Sequence, residues 1–122
     1  MKARVIALHH VQLAMPPNGE ERAVRFYQDL LGIPQLVKPA GLDAAGCWFE
    51  EGDLRIHLGV EKTFTPAKKA HPGLLVRDLP EIIRNVQAAG FEAIWDDRLE
   101  GFTRAYVTDP FGNRVELMEP LK

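Results

Sequence analysis

Apolar positions alternate with polar ones in some stretches of the chain and recur every three to four residues in others. The two rhythms succeed each other twice. Residues 3–15, rich in Val, Leu and Ile, predict a strand that Pro16-Pro17-Asn18-Gly19 stops. Asn18 or Gly19 can cap a following helix, and Glu20-Glu21 suit the positive end of its dipole. Ala23, Phe26, Tyr27, Leu30 and Leu31 then recur at helical spacing, until Gly32 and Pro34 end the helix. Leu36-Val37, residues 47–50 and Leu54–Val60 predict three strands, with a turn at Glu51-Gly52-Asp53.

Residues 61–70 carry Thr, Pro and three lysines without periodicity and read as a linker. The order then restarts. Residues 71–76 predict a strand. Asp78 and Glu81 form a capping box, and Leu79, Ile82, Ile83, Val86 and Ala89 make one helical stripe that Gly90 ends. Residues 91–95, Phe102–Thr108 and residues 114–119 predict three more strands, separated by a loop at 98–101 and a turn at 109–113. Each half reads strand, helix, strand, strand, strand. His57 lies 25 positions after Gly32, and Glu116 lies 26 after Gly90. This register predicts one domain over residues 1–122, made of modules 3–60 and 71–120 joined by the linker.

Composition fits this frame. A chain of 122 residues is one domain's worth, and a net charge of −2 gives no basic surface for nucleic acid. No apolar run approaches the roughly 20 residues of a membrane helix, and no export signal is evident. The single cysteine, Cys47, cannot pair within the chain and reads as a small buried residue. A cytoplasmic location is therefore expected.

Strand phase sorts the candidate chemistry. His10 shares a face with Gln12, while Val11 and Leu13 take the other face and His9 falls out of the set. Arg55 and His57 share a face, as do Arg104 and Tyr106, and as do Arg114, Glu116 and Met118. Each of these strands presents an apolar face that can pack under a helix. The polar faces collect His, Glu, Arg, Gln and Tyr but no Lys, unlike an ordinary solvated face. Imidazoles and carboxylates at repeat-related positions suit Zn, Ni, Mn or Fe, with open positions left for substrate. Arg55, Arg104 and Arg114 share the site-facing phase and suggest an anionic substrate, although Arg55 and Arg114 could both lie at the rim.

Four stretches carry a resemblance: His10-Val11-Gln12-Leu13-Ala14-Met15; residues 23–32, with Phe26-Tyr27 and Leu30-Leu31-Gly32; His71-Pro72-Gly73-Leu74-Leu75-Val76; and, most specifically, residues 109–120, with Asp109-Pro110-Phe111-Gly112-Asn113. Over nearly its whole length the chain resembles the vicinal oxygen chelate superfamily of glyoxalase I, bleomycin- and fosfomycin-resistance proteins and extradiol dioxygenases. The resemblance implies an α+β fold of two βαβββ modules forming an open, barrel-like cup around a metal. It implies ligands on the first and last strands of each module: His10, His71 and Glu116, with His57 at the fourth place.

His10, His71 and Glu116 match the triad of the fosfomycin-resistance and dioxygenase branches. Glyoxalase I has a glutamate where this chain has His57, so its isomerase chemistry does not carry over directly. The fosfomycin-resistance branch uses a basic residue in the region matching Trp95-Asp96-Asp97-Arg98, and here two acids stand there. Dioxygenases of the family are commonly longer.

The resemblance and the polar faces together imply a divalent-metal-dependent enzyme, of lyase, isomerase, transferase or dioxygenase type, acting on a small oxygen-rich and anionic substrate. Glu116 and His57 would be catalytic, His57 as fourth ligand or general base. Arg55, Arg104 and Tyr106 would bind substrate. The alternative is a metal-free protein of the bleomycin-resistance kind that sequesters a small molecule. Small members of the family are usually homodimers, and the cup can be built within one chain or across two.

Overall fold

A computed structural model describes residues 2–122. The first module contains β1 (Val11–Met15), a helix that starts as α1 (Glu20–Ala23) and continues as a π-helix over Val24–Leu30, then β2 (Gln35–Leu36), β3 (Cys47–Glu51) and β4 (Leu54–Val60). The second contains β5 (Gly73–Leu75), α2 (Leu79–Ala88), β6 (Ala93–Asp96), β7 (Phe102–Thr108) and β8 (Arg114–Pro120). Two four-stranded sheets result, in the orders β1-β4-β3-β2 and β5-β8-β7-β6. In each, the first strand lies parallel to the last, and the other neighbours are antiparallel. The α+β fold of two repeated modules is thus present, with the sheets separate rather than closed into one barrel.

The apolar faces and the helices meet in a single core. Phe49, Ile56 and Leu58 from one sheet and Val107, Val115 and Leu117 from the other pack with Phe26, Tyr27, Leu79, Ile83 and Val86. The π-turns explain how consecutive Phe26 and Tyr27 are both fully buried. Leu31 N–H reaches back five residues to the Phe26 carbonyl, at 3.0 Å, and this wider turn rotates successive side chains less.

The turn at 109–113 joins the modules. The Tyr27 hydroxyl donates to Asp109 Oδ2 at 2.7 Å, and Asn113 Nδ2 donates to the Ala14 carbonyl at 2.8 Å. Asp109 also accepts the Phe111 and Asn113 backbone N–H groups and Asn113 Nδ2. This buried carboxylate therefore has four donors, the pairing that burial of a charge demands. Burial, reinforced by Asp109, pushes the Tyr27 hydroxyl well above its ordinary pKa, so it remains a donor.

Three local expectations are corrected. The first strand begins at Val11 rather than residue 3, and Val5, Ile6 and Leu8 are exposed because they find no sheet or core partner among the described residues. The second module's first strand is only Gly73–Leu75, so His71 precedes it. Asp78 makes no side-chain cap on α2 and sits in the left-handed region at φ 62°. The cap comes instead from Glu119, whose carboxylate accepts the N–H groups of Asp78 (2.7 Å) and Leu79 (3.1 Å). Those two N–H groups hold the Glu119 carboxyl below its usual range.

Candidate functional site

Strand alternation builds two polar constellations, one on each sheet. In the first, Cys47 and Phe49 of β3 turn into the core and leave Trp48 and Glu50 on the opposite face. Trp48 is the cross-strand partner of His57 in β4. The two rings stack at 4.2 Å with planes 5° apart. His10, just before β1, stacks on His57 at 4.4 Å. Two parallel rings cannot share one face, so His57 is sandwiched between them.

His57 is 4% exposed, and its Nε2 lies 2.6 Å from Glu50 Oε2. An ionised Glu50 can only accept, so it takes the Nε2 proton and leaves Nδ1 with the lone pair of the neutral ring. Arg55 Nη1 donates to the His9 carbonyl at 3.1 Å, and its side chain lies 3.9 Å from Glu50 and 3.7 Å from Asp53.

In the second constellation, Tyr106 and Glu116 are cross-strand partners. The Glu116 N–H donates to the Pro72 carbonyl, which brings the residue before it, His71, against the Glu116 side chain. His71 Nε2 lies 2.9 Å from Glu116 Oε1, and its Nδ1 lies 2.9 Å from the Lys69 carbonyl. A carbonyl cannot donate, so Nδ1 carries a proton. In the neutral ring, Nε2 then points a lone pair at a carboxylate oxygen. Two acceptors face each other, an arrangement that requires a proton or a cation between them.

Glu116 Oε2 accepts from Arg104 Nη1 at 2.9 Å, and Arg104 Nη2 donates to Asp96 Oδ1 at 3.2 Å. Burial acts to raise the Glu116 carboxyl, but hydrogen bonds from Arg104 and His71 outweigh it and hold it below its usual value. Asp96 is pulled down mainly by Arg98, with Arg104 adding to it. The Arg114 guanidinium lies 3.9 Å from the centre of the Tyr106 ring, and His71 meets that ring edge-on.

His71 and Arg114 also line a cavity of about 380 Å³ between β1 and the second module. Gln12, Leu13, Phe64 and Thr65 line it as well.

The four expected ligands thus fall into two pairs, His10 with His57 and His71 with Glu116. Among the described residues no three His, Cys, Asp or Glu side chains gather into a metal-holding group. The donor chemistry of the His71–Glu116 pair nevertheless fits a divalent ion. A carbonyl fixing Nδ1–H is the usual outer support of a ligating imidazole. Neighbouring N and O ligands with bonds of about 2.1 Å stand roughly 3.0 Å apart at octahedral angles and roughly 3.4 Å at tetrahedral ones, so the 2.9 Å between Nε2 and Oε1 needs only a small adjustment to admit an ion.

Arg55 and Arg104, expected at the substrate, are engaged with protein groups, whereas Arg114 makes no ion pair among the described residues. Sequence reasoning missed Glu50 as the partner of His57, although its parity with Trp48 in a strand whose alternate residues are apolar was the available signal. Cys47 is buried as expected. Desolvation, with the Glu20 carboxylate adding to it, pushes its thiol up to about 11, too high for a neutral-pH nucleophile.

No curated protein matches the chain in sequence. Among solved structures it is similar to one described as a glyoxalase family protein from Bacillus anthracis, 41% identical, covering 99% of this chain and 100% of that one, with a TM-score of 0.91. The fosfomycin resistance protein FosX from Listeria monocytogenes shares the fold at 16% identity and a TM-score of 0.76, over 97% of this chain and 96% of that one. An antibiotic-binding protein from a Streptomyces strain shares it at 19% and 0.72, over 97% and 100%. The sequence profile of the Glyoxalase/Bleomycin resistance protein/Dioxygenase superfamily matches residues 7–117. With its two repeated modules and this match over nearly its full length, the chain belongs to that superfamily.

Proposed function

We propose that the protein is a divalent-metal-dependent enzyme acting on a small, oxygen-rich, anionic substrate. The observation that carries this reading is the His71–Glu116 pair, an imidazole nitrogen and a carboxylate oxygen held 2.9 Å apart, with the Nδ1–H of His71 fixed by the Lys69 carbonyl. His71 Nε2 and Glu116 Oε1 would hold the ion, with His10 as third ligand. Zn, Ni, Mn and Fe all suit this donor set. Bound there, the ion would act as a Lewis acid towards two neighbouring substrate oxygens.

The residues around it divide the remaining work. Glu50 keeps the proton of His57 on Nε2, so Nδ1 is the atom that takes a proton from substrate. The same fixed lone pair also suits His57 as a fourth ligand, because a ligating imidazole has its other N–H held in this way. Stacking between Trp48 and His10 limits its ring rotation. Arg114, rather than Arg55 or Arg104, is the guanidinium free to meet an anion, and it stands beside His71 at the cavity. Tyr106 supports it through its ring face.

The site is completed across two copies in this reading, with His10 and His57 of one chain meeting His71 and Glu116 of a second. Three observations favour a homodimer. The two pairs lie on separate sheets, β1 and β5 are sheet edges, and the stretch before β1 exposes Val5, Ile6 and Leu8 while Leu75 of β5 is also exposed.

Thermal denaturation with and without Ni²⁺, Zn²⁺, Mn²⁺ and Fe²⁺ tests the reading. At least one ion should raise the melting temperature of the wild type, because a ligand at 100 times its Kd adds about 2.7 kcal/mol. His71→Ala should abolish that rise. Equal rises in both proteins would place the ion elsewhere, and no rise in either would favour metal-free sequestration.

A further inference from the structure

We infer that Arg104 and Asp96 are positioning residues for Glu116, which they hold so that it offers a single oxygen, Oε1, towards His71. The inference rests on the metal reading of the His71–Glu116 pair. Arg104 divides its guanidinium between two carboxylates, Nη1 on Glu116 Oε2 and Nη2 on Asp96 Oδ1. Its remaining nitrogen, Nε, is buried without a hydrogen-bond partner among the described residues. A buried, unsatisfied N–H is costly, so the orientation of the fork is being held against a local penalty.

Asp96 is itself clasped by Arg98 through its backbone N–H and Nε, both at 2.9 Å. The chain Arg98–Asp96–Arg104–Glu116 therefore ties the Glu116 carboxylate, through Oε2, to the end of β6, and the Tyr106 ring lies 5.4 Å from the Arg104 guanidinium. With Oε2 occupied, Glu116 cannot turn both oxygens to an ion, and the carboxylate plane is fixed. Arg104 is therefore an outer support of the ligand set and not a substrate anchor.

Charge and positioning make opposite forecasts. An arginine acting only as a positive charge beside the site repels a cation, so Arg104→Met would tighten metal binding. An arginine that positions Glu116 supports binding, so the same change would weaken it. Loss of an outer-shell partner typically weakens metal affinity by about 10–100-fold.

The experiment is titration of the full-length wild type, Arg104→Met, Arg104→Lys and Asp96→Asn with Co²⁺. Binding is read by calorimetry and the ligand field by the visible spectrum, and melting curves confirm that each variant folds. Weakening of about tenfold or more in Arg104→Met and Arg104→Lys, a smaller loss in Asp96→Asn, and altered Co²⁺ bands in all three are expected. Lysine keeps the charge but lacks the planar fork, so it should not rescue. Unchanged or tighter binding in Arg104→Met, or full rescue by lysine, overturns the positioning role while leaving the metal site intact. A wild type that binds no Co²⁺ overturns both. If Arg104→Met does not fold, the Arg104→Lys and Asp96→Asn results decide.

Discussion

Tyr27 and Asp109, 82 residues apart in the chain, are joined by a buried hydrogen bond of 2.7 Å that locks the first module's helix to the turn before β8. The turn containing Asp109 is the stretch of sequence that most specifically marks the family, and in this fold its work is structural. Tyr27→Phe should cost about 1.5–3 kcal/mol, the net value of a buried hydrogen bond to a charged group. Asp109→Ala strands four donors and should cost more than about 3 kcal/mol, at about 1–3 kcal/mol for each orphaned buried group. Urea denaturation of the two variants checks both values and their order.

Glu119, not Asp78, caps α2, and this makes a pH-dependent forecast. The folded Glu119 carboxyl lies below its ordinary value. Its contribution is therefore fully present above about pH 4.3, the unfolded value, and is lost as pH falls through the depressed folded value. Glu119→Gln should lower the melting temperature at pH 7, and the difference from wild type should shrink in acid. Asp78→Gly should be neutral or stabilising, because glycine removes the left-handed strain of about 1–2 kcal/mol and no side-chain cap is lost. A working capping box would make Asp78→Gly destabilising.

Glu50 sets the tautomer of His57, and this can be measured without a substrate. Nitrogen-15 NMR of the neutral protein should show the His57 proton on Nε2. Glu50→Ala should redistribute it between the two nitrogens and leave His71 unchanged. A His57 tautomer indifferent to Glu50 would remove the basis for assigning its Nδ1 as proton acceptor.

Completion of the site across two copies can be tested by mixing. His10→Ala and His71→Ala chains should each fail to bind metal alone. In a mixed dimer, one of the two sites would draw His10 and His71 from the unaltered positions of different chains. Random exchange should therefore restore about a quarter of the wild-type binding capacity. No restoration after exchange would put all ligands within one chain.

The strands that carry the site were legible in the sequence where their partners lie in the same sheet. Leu54–Val60 and Phe102–Thr108 fall where alternation puts them, and His57, Tyr106 and Glu116 take the polar faces that parity assigns. Residues 3–10 read as strand because they are apolar, but apolar residues become a strand only where an edge receives them. Among the described residues none does. The α2 cap was misread because Asp78 and Glu81 satisfy a local pattern, whereas the groups that use the N–H donors come from 40 residues away in β8. Parity puts Arg104 on the site-facing side of β7. Phase fixes the face of a side chain but not its partner, and Asp96 and Glu116 reach it first.

The central claim, an ion held through His71 and Glu116, is tested most directly by the metal content of protein purified without a histidine tag. After equilibration with each candidate ion and removal of the excess, about one equivalent of a single transition metal per chain is expected for the wild type. Almost none is expected for His71→Ala and for Glu116→Ala. Less than about a tenth of an equivalent in the wild type after such loading, or wild-type occupancy in both variants, would contradict the account.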